Sequence, residues 1–77
     1  MPYLTQHGIY YVEYDTYTYK WEIDTLVSGY ENSPLEEVVI TKFYTGEVYS
    51  MFLYAINPIS AFTRAANAII NKMEEII

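Results

Sequence analysis

His7 is the only histidine of the chain, and no cysteine accompanies it. A disulfide or a thiolate metal site is therefore excluded, and a site built on His7 would have to recruit scattered carboxylates. Two acidic pairs exist, Glu36-Glu37 and Glu74-Glu75. Adjacent residues on a strand or helix point in different directions, so neither pair is arranged to share a metal ion or a proton. Serines and threonines are present, but no motif places a base beside one of them. The three glycines are isolated, so no loop is built to cradle a phosphate. A paired-carboxylate hydrolase needs a cleft, and 77 residues leave little room for one. The sequence thus predicts a protein with no catalytic, cofactor or metal residues.

Tyrosine and acid dominate instead. The chain carries ten tyrosines and ten acidic residues against four lysines and arginines, with a net charge of −6. Over the first 47 residues Glu13, Asp15, Glu22, Asp24, Glu31, Glu36, Glu37 and Glu47 meet only Lys20 and Lys42. Phosphate contacts need lysine and arginine, which argues against direct nucleic-acid binding. The same balance disfavours anionic membranes. A basic protein partner is favoured through electrostatic steering, while a charge of this size also serves plain solubility. Tyrosine joins a large apolar ring to a polar tip and is enriched at interaction hot spots. It is also common in strands for packing reasons alone, which accounts for most of the individual rings.

These residues must be positioned by a small set of elements. The length predicts a single domain over residues 1–77, held by its core because no covalent staple exists. The start shows no basic region with a long apolar run, so neither a signal peptide nor a membrane span is expected. Tyr17, Tyr19, Trp21 and Ile23 alternate with Thr18, Lys20, Glu22 and Asp24, the period of a strand. Tyr10, Val12 and Tyr14 do the same before them. With Asp15-Thr16 as a two-residue turn, Tyr14 pairs with Tyr17, Val12 with Tyr19 and Tyr10 with Trp21. The apolar residues then share one face, and Tyr11, Glu13, Lys20 and Glu22 share the other. Residues 28–35 carry turn chemistry in Gly29, Asn32, Ser33 and Pro34. Val38, Val39, Ile40 and Thr41 mark another strand, and Pro2–Gln6 fits a short edge strand.

The stretch Glu47–Ile56 has two readings. As a strand it closes a hairpin at Thr45-Gly46. As a helix it places Val48, Met51, Phe52 and Ala55 on one stripe, with Thr45 as its cap. The spacing leans towards the helix. Asn57-Pro58 then opens a terminal helix, with Phe62, Ala66, Ile69, Ile70, Met73 and Ile77 at helical spacing. Its stripe should cover the apolar sheet face that carries Trp21. The expected fold is α+β in two layers, an antiparallel sheet of three to four strands packed against two C-terminal helices.

The second half of the chain also carries a likeness. Phe43-Tyr44-Thr45-Gly46-Glu47, then Phe52 to Pro58, then Arg64-Ala65-Ala66-Asn67-Ala68 resembles the small phage anti-CRISPR proteins that inhibit the type I-F surveillance complex. The resemblance covers residues 37–72, and the front half matches in pattern only. It implies a four-stranded antiparallel sheet on two helices, which supports the helical reading of Glu47–Ile56. It implies a cytoplasmic inhibitor, in a bacterial host, that binds the Lys-rich backbone subunits of the crRNA-guided complex and keeps target DNA from pairing with the guide. In that family two tyrosines and a glutamate on the sheet carry much of the interface. Tyr3 falls at the first tyrosine and Asp24 at the glutamate. The second tyrosine is Tyr14 in one alignment, and in another it is Asp15 with Tyr11 beside it. The expected hairpin puts Tyr14 on the apolar face, which counts against it. The candidate partner-binding set is therefore Tyr3, Tyr11, Tyr14, Glu22 and Asp24. One alternative is an acidic binding module or antitoxin-like adaptor with another basic partner. Another is a small oligomeric enzyme or ligand-binding subunit, which a deep pocket lined by glutamates and His7 would favour.

Overall fold

The computed structural model describes residues 7–30 and 32–76. The expected edge strand Pro2–Gln6, Tyr3 and Ile77 lie outside the described residues. Among the described residues, four strands and one helix follow in the order β1 (Gly8–Asp15), β2 (Lys20–Val27), β3 (Val39–Lys42), β4 (Glu47–Ala55) and α1 (Pro58–Ile76). All strand pairs are antiparallel, and the sheet order is β2-β1-β4-β3. The class is the expected α+β, with one helix where two were expected.

Strands β1 and β2 form the expected hairpin with a different register. Tyr14 pairs with Trp21, Val12 with Ile23 and Glu13 with Glu22. The turn therefore spans Thr16 to Tyr19 rather than Asp15-Thr16. Asp15 is the cause. Its Oδ1 accepts from the backbone N–H of Tyr17 at 2.8 Å and Thr18 at 3.4 Å, and its carbonyl accepts from Tyr19 N–H at 2.8 Å. An aspartate that captures the following amides starts a turn of its own. Tyr19 closes it at φ 60°, a left-handed conformation that is unusual for a ring-bearing residue. The shift is an even number of residues, so Trp21 and Ile23 keep the apolar face. Tyr17 and Tyr19, expected on that face, are exposed at the turn instead.

Glu47–Ala55 is a strand, not a helix. It lies between β1 and β3, pairing along its length with β1 from Asp15↔Val48 to Gly8↔Ala55. Tyr49, Met51, Leu53 and Ala55 are buried on one face, beside Tyr10 and Val12. The helical reading would have left β1 with a bare inner edge, and unpaired backbone groups in a core are costly. Thr16 fastens this strand to the first turn. Its hydroxyl donates to Glu47 O and accepts from Glu47 N, each at 2.9 Å. Gly46 must lack a side chain here, because a Cβ would stand 2.8 Å from that same oxygen.

Helix α1 begins as its sequence predicts. Asn57 Oδ1 accepts from Ser60 N–H at 2.7 Å, with Pro58 at the first helical position. Asn57→Ala should destabilise the domain by about 1 kcal/mol in a thermal or urea melt, and Asn57→Asp should hold its stability. The helix covers the apolar sheet face, including Trp21, which meets Phe62 edge-on at 5.4 Å and Tyr14 at 4.6 Å. The buried stripe is rotated from the expected one. Ala61, Ala65 and Ile69 are fully buried, whereas Phe62 and Ile70 stand at the margins. Small residues let the helix backbone approach a sheet whose own large side chains, Tyr10 and Leu53, fill the space between.

Because β3 is short, no strand among the described residues lies on the outer side of the far half of β4. Glu36 N–H donates to Phe52 O at 2.7 Å, and Arg64 Nη1 donates to Tyr54 O at 2.9 Å. Arg64 Nη2 also pairs with Glu36 Oε2 at 2.8 Å. Arg64 thus ties helix, sheet edge and the β2–β3 connection together. In the sequence Arg64 stands out only within the Arg64–Ala68 stretch, and nothing there points to this role.

Candidate functional site

The sheet face away from α1 carries the residues that could recognise a partner. Alternation along β1 and β2 puts Tyr11, Glu13, Glu22 and Asp24 there, and β4 adds Ser50 and Phe52. Glu13 and Glu22 are directly opposite one another, and Tyr11 is opposite Asp24. Like charges in facing positions are unfavourable in a free sheet. Among the described residues the ion pairs are Arg64–Glu36 and Lys72–Glu75, so no lysine or arginine neutralises Glu13, Glu22 or Asp24.

The β2–β3 connection must travel from one sheet edge to the other, and it crosses this face. Gly29 turns it at φ 86°, a conformation suited to glycine. Tyr30 then stacks on Phe52, with ring centroids 4.5 Å apart and planes 19° from parallel. Phe52 also packs on Tyr11 at 4.8 Å and 47°. Between the connection and the sheet lies an open groove of about 520 Å³. Its walls include Tyr11, Asp24, Tyr30, Glu37, Val39 and Phe52. Two carboxylates and three rings therefore share one concave surface, of a volume typical for ligand recognition.

Tyr11 sits at the centre of this arrangement. Its hydroxyl donates to Glu13 Oε1 at 2.9 Å. Burial pushes its pKa up, a hydrogen bond with Ser50 pulls the other way, and the hydrogen bond and charge of Glu13 with the charge of Asp24 raise it further. The folded protein thus favours the neutral phenol. Its contribution to stability is full below the ordinary tyrosine value of about 10 and is lost as pH rises through the higher folded value. As pH rises from about 10 through that higher folded value, stability of the wild-type chain should fall more steeply than that of Tyr11→Phe, as read from urea midpoints across an alkaline series.

Of the sequence candidates, the structure brings Tyr11, Glu22 and Asp24 together and leaves Tyr14 out. Tyr14 is on the opposite face, packed against Trp21 beneath the helix. Tyr3 lies outside the described residues. Sequence reading missed Tyr30, Glu37 and Phe52. The available signal was Tyr30 itself, a large ring amid turn residues, which needs a surface to rest on. His7 is not part of the groove and meets the ring of Tyr54 edge-on at 6.2 Å. Among the described residues no three His, Asp or Glu side chains converge on a metal position, and no helix is long and apolar enough to cross a membrane.

A second exposed aromatic group stands at one end of the sheet. Tyr17 and Tyr19 in the first turn and Phe43 and Tyr44 in the second are all exposed. The Thr16–Glu47 hydrogen bonds hold the two turns side by side. No family model, curated protein or solved structure matches the chain.

Proposed function

We propose that the protein is a non-enzymatic binding module whose outer sheet face docks a basic surface of another protein. The observation that carries this reading is the set of carboxylates Glu13, Glu22 and Asp24, without an ion-pair partner among the described residues, interleaved with half-buried Tyr11 and Phe52 on the outer sheet face. The opposed Glu13–Glu22 pair weakens the free sheet and is relieved when a cation arrives. The acidic field steers a basic partner, and the rings supply contact area at low entropic cost.

The specific partner class comes from the sequence resemblance. In that reading the chain is a phage inhibitor that occupies Lys-rich backbone subunits of a type I-F surveillance complex and blocks hybridisation of target DNA. The four-stranded antiparallel sheet and the acidic, tyrosine-bearing face are consistent with it. The strand at Glu47–Ala55 removes the first of the two helices that the resemblance implies and weighs against it. The test is binding of the purified protein to the purified complex, followed by capture of target DNA by that complex. Tight binding with loss of DNA capture supports the inhibitor reading. If the complex does not bind, that reading fails and the docking face belongs to another basic partner, to be found by crosslinking from residues on this face.

A further inference from the structure

We propose that the groove between the β2–β3 connection and the sheet is a pocket for an arginine side chain presented by a protein partner. The proposal rests on the reading of the outer face as a protein-docking surface, and it assigns the chemistry of the central contact.

Charge decides the class of ligand. Asp24 and Glu37 line the groove, and neither is paired with a lysine or arginine among the described residues. An anion meets two carboxylates and no cation. A purely apolar group strips water from both carboxylates and gives them no partner, which is costly. A cation satisfies both.

The rings decide which cation. Tyr30 and Phe52 form a nearly parallel stack, and Tyr11 leans on the same phenyl ring. Tyr30 is 43% exposed, so part of the aromatic surface remains open to a ligand. A guanidinium is planar and weakly hydrated. It stacks on an aromatic face while its N–H fork donates to a carboxylate at the rim. A lysine ammonium is compact and strongly hydrated, and it uses neither the planar surface nor a two-point carboxylate contact as well. Val39, half exposed at the groove wall, offers apolar surface to the methylene stem. The groove holds more than one side chain, so residues flanking the arginine fill the remainder.

The test uses the whole chain and three small probes: N-acetyl-arginine methylamide, its neutral isostere N-acetyl-citrulline methylamide, and Nα-acetyl-lysine methylamide. Binding is followed by NMR at the aromatic signals of Tyr11, Tyr30 and Phe52. The arginine probe should shift them saturably and bind about tenfold more tightly than the citrulline probe, with the lysine probe between. Asp24→Asn and Glu37→Gln should each weaken the arginine probe about fivefold while leaving backbone amide signals outside the groove unmoved. Equal affinity for citrulline, tighter binding of lysine, or no saturable shift at these rings overturns the proposal. Failure here is separable from failure of the docking face. If the rings do not respond but Glu22→Lys still weakens a protein partner, the pocket falls and the face stands. If the arginine probe saturates the groove but Glu22→Lys leaves that partner bound as before, the face falls and the pocket stands.

Discussion

Leu53→Ala should lower the stability of the domain by about 3 kcal/mol, within the range for a fully buried leucine. Leu53 is 0% exposed and faces Tyr10 across the β1–β4 pair, with Ala61, Ala65 and Ile69 of the helix in the same core. The surroundings are β1 on one side and a helix already in close approach, so they can collapse only slightly into the space left. For a domain of this length, about 3 kcal/mol corresponds to a drop of about 12–24 °C in the thermal midpoint. Tyr54→Ala is the internal comparison. Tyr54 is the next residue along, points to the other face and is 52% exposed, so its truncation should cost well under about 1 kcal/mol. The contrast between neighbours is the signature of a strand. In a helix over the same residues, Leu53 would lie off the Val48, Met51, Phe52 and Ala55 stripe and lose little. A small effect at Leu53 with a large one at Phe52 would sink the strand assignment.

The ambiguity at this segment shows where sequence reading stops. Tyr49, Met51, Leu53 and Ala55 obey a period of two, and Val48, Met51, Phe52 and Ala55 obey a helical one. Local pattern cannot choose between them, since the same nine residues satisfy both. The choice is made by strands distant in sequence, because β1 needs a partner on its second edge. Where a single local device decided the outcome, the sequence was readable. Asn57 and Pro58 set the helix start, and alternation from Tyr10 to Ile23 set the faces of the first hairpin. Its register was not readable, because Asp15 captures two amides beyond the expected turn and moves the pairing. The candidate site divides the same way. Tyr11, Glu22 and Asp24 follow from alternation, so they were legible. Tyr30 reaches Phe52 only because the chain crosses the sheet, and Arg64 reaches Glu36 and Tyr54 only because β3 ends early. No periodicity encodes either contact.

Glu22→Lys is the substitution that separates the structural from the functional role of the acidic face. Glu22 is exposed and stands opposite Glu13, so a lysine there replaces a like-charge pair by an opposite-charge one. The fold should gain about 0.5 kcal/mol, visible as a small rise in the urea midpoint. Affinity for the basic partner should fall about tenfold or more, chiefly through a slower on-rate, and its salt dependence should flatten. A variant that is more stable yet binds less cannot be dismissed as misfolded. The control is Glu74→Lys, an exposed position on α1, which changes net charge by the same amount away from the face. If both variants lose affinity equally, the acid acts through the field of the whole protein. If only Glu22→Lys does, contact is made across β1 and β2, because long-range steering depends on total charge and a docked interface depends on where that charge sits.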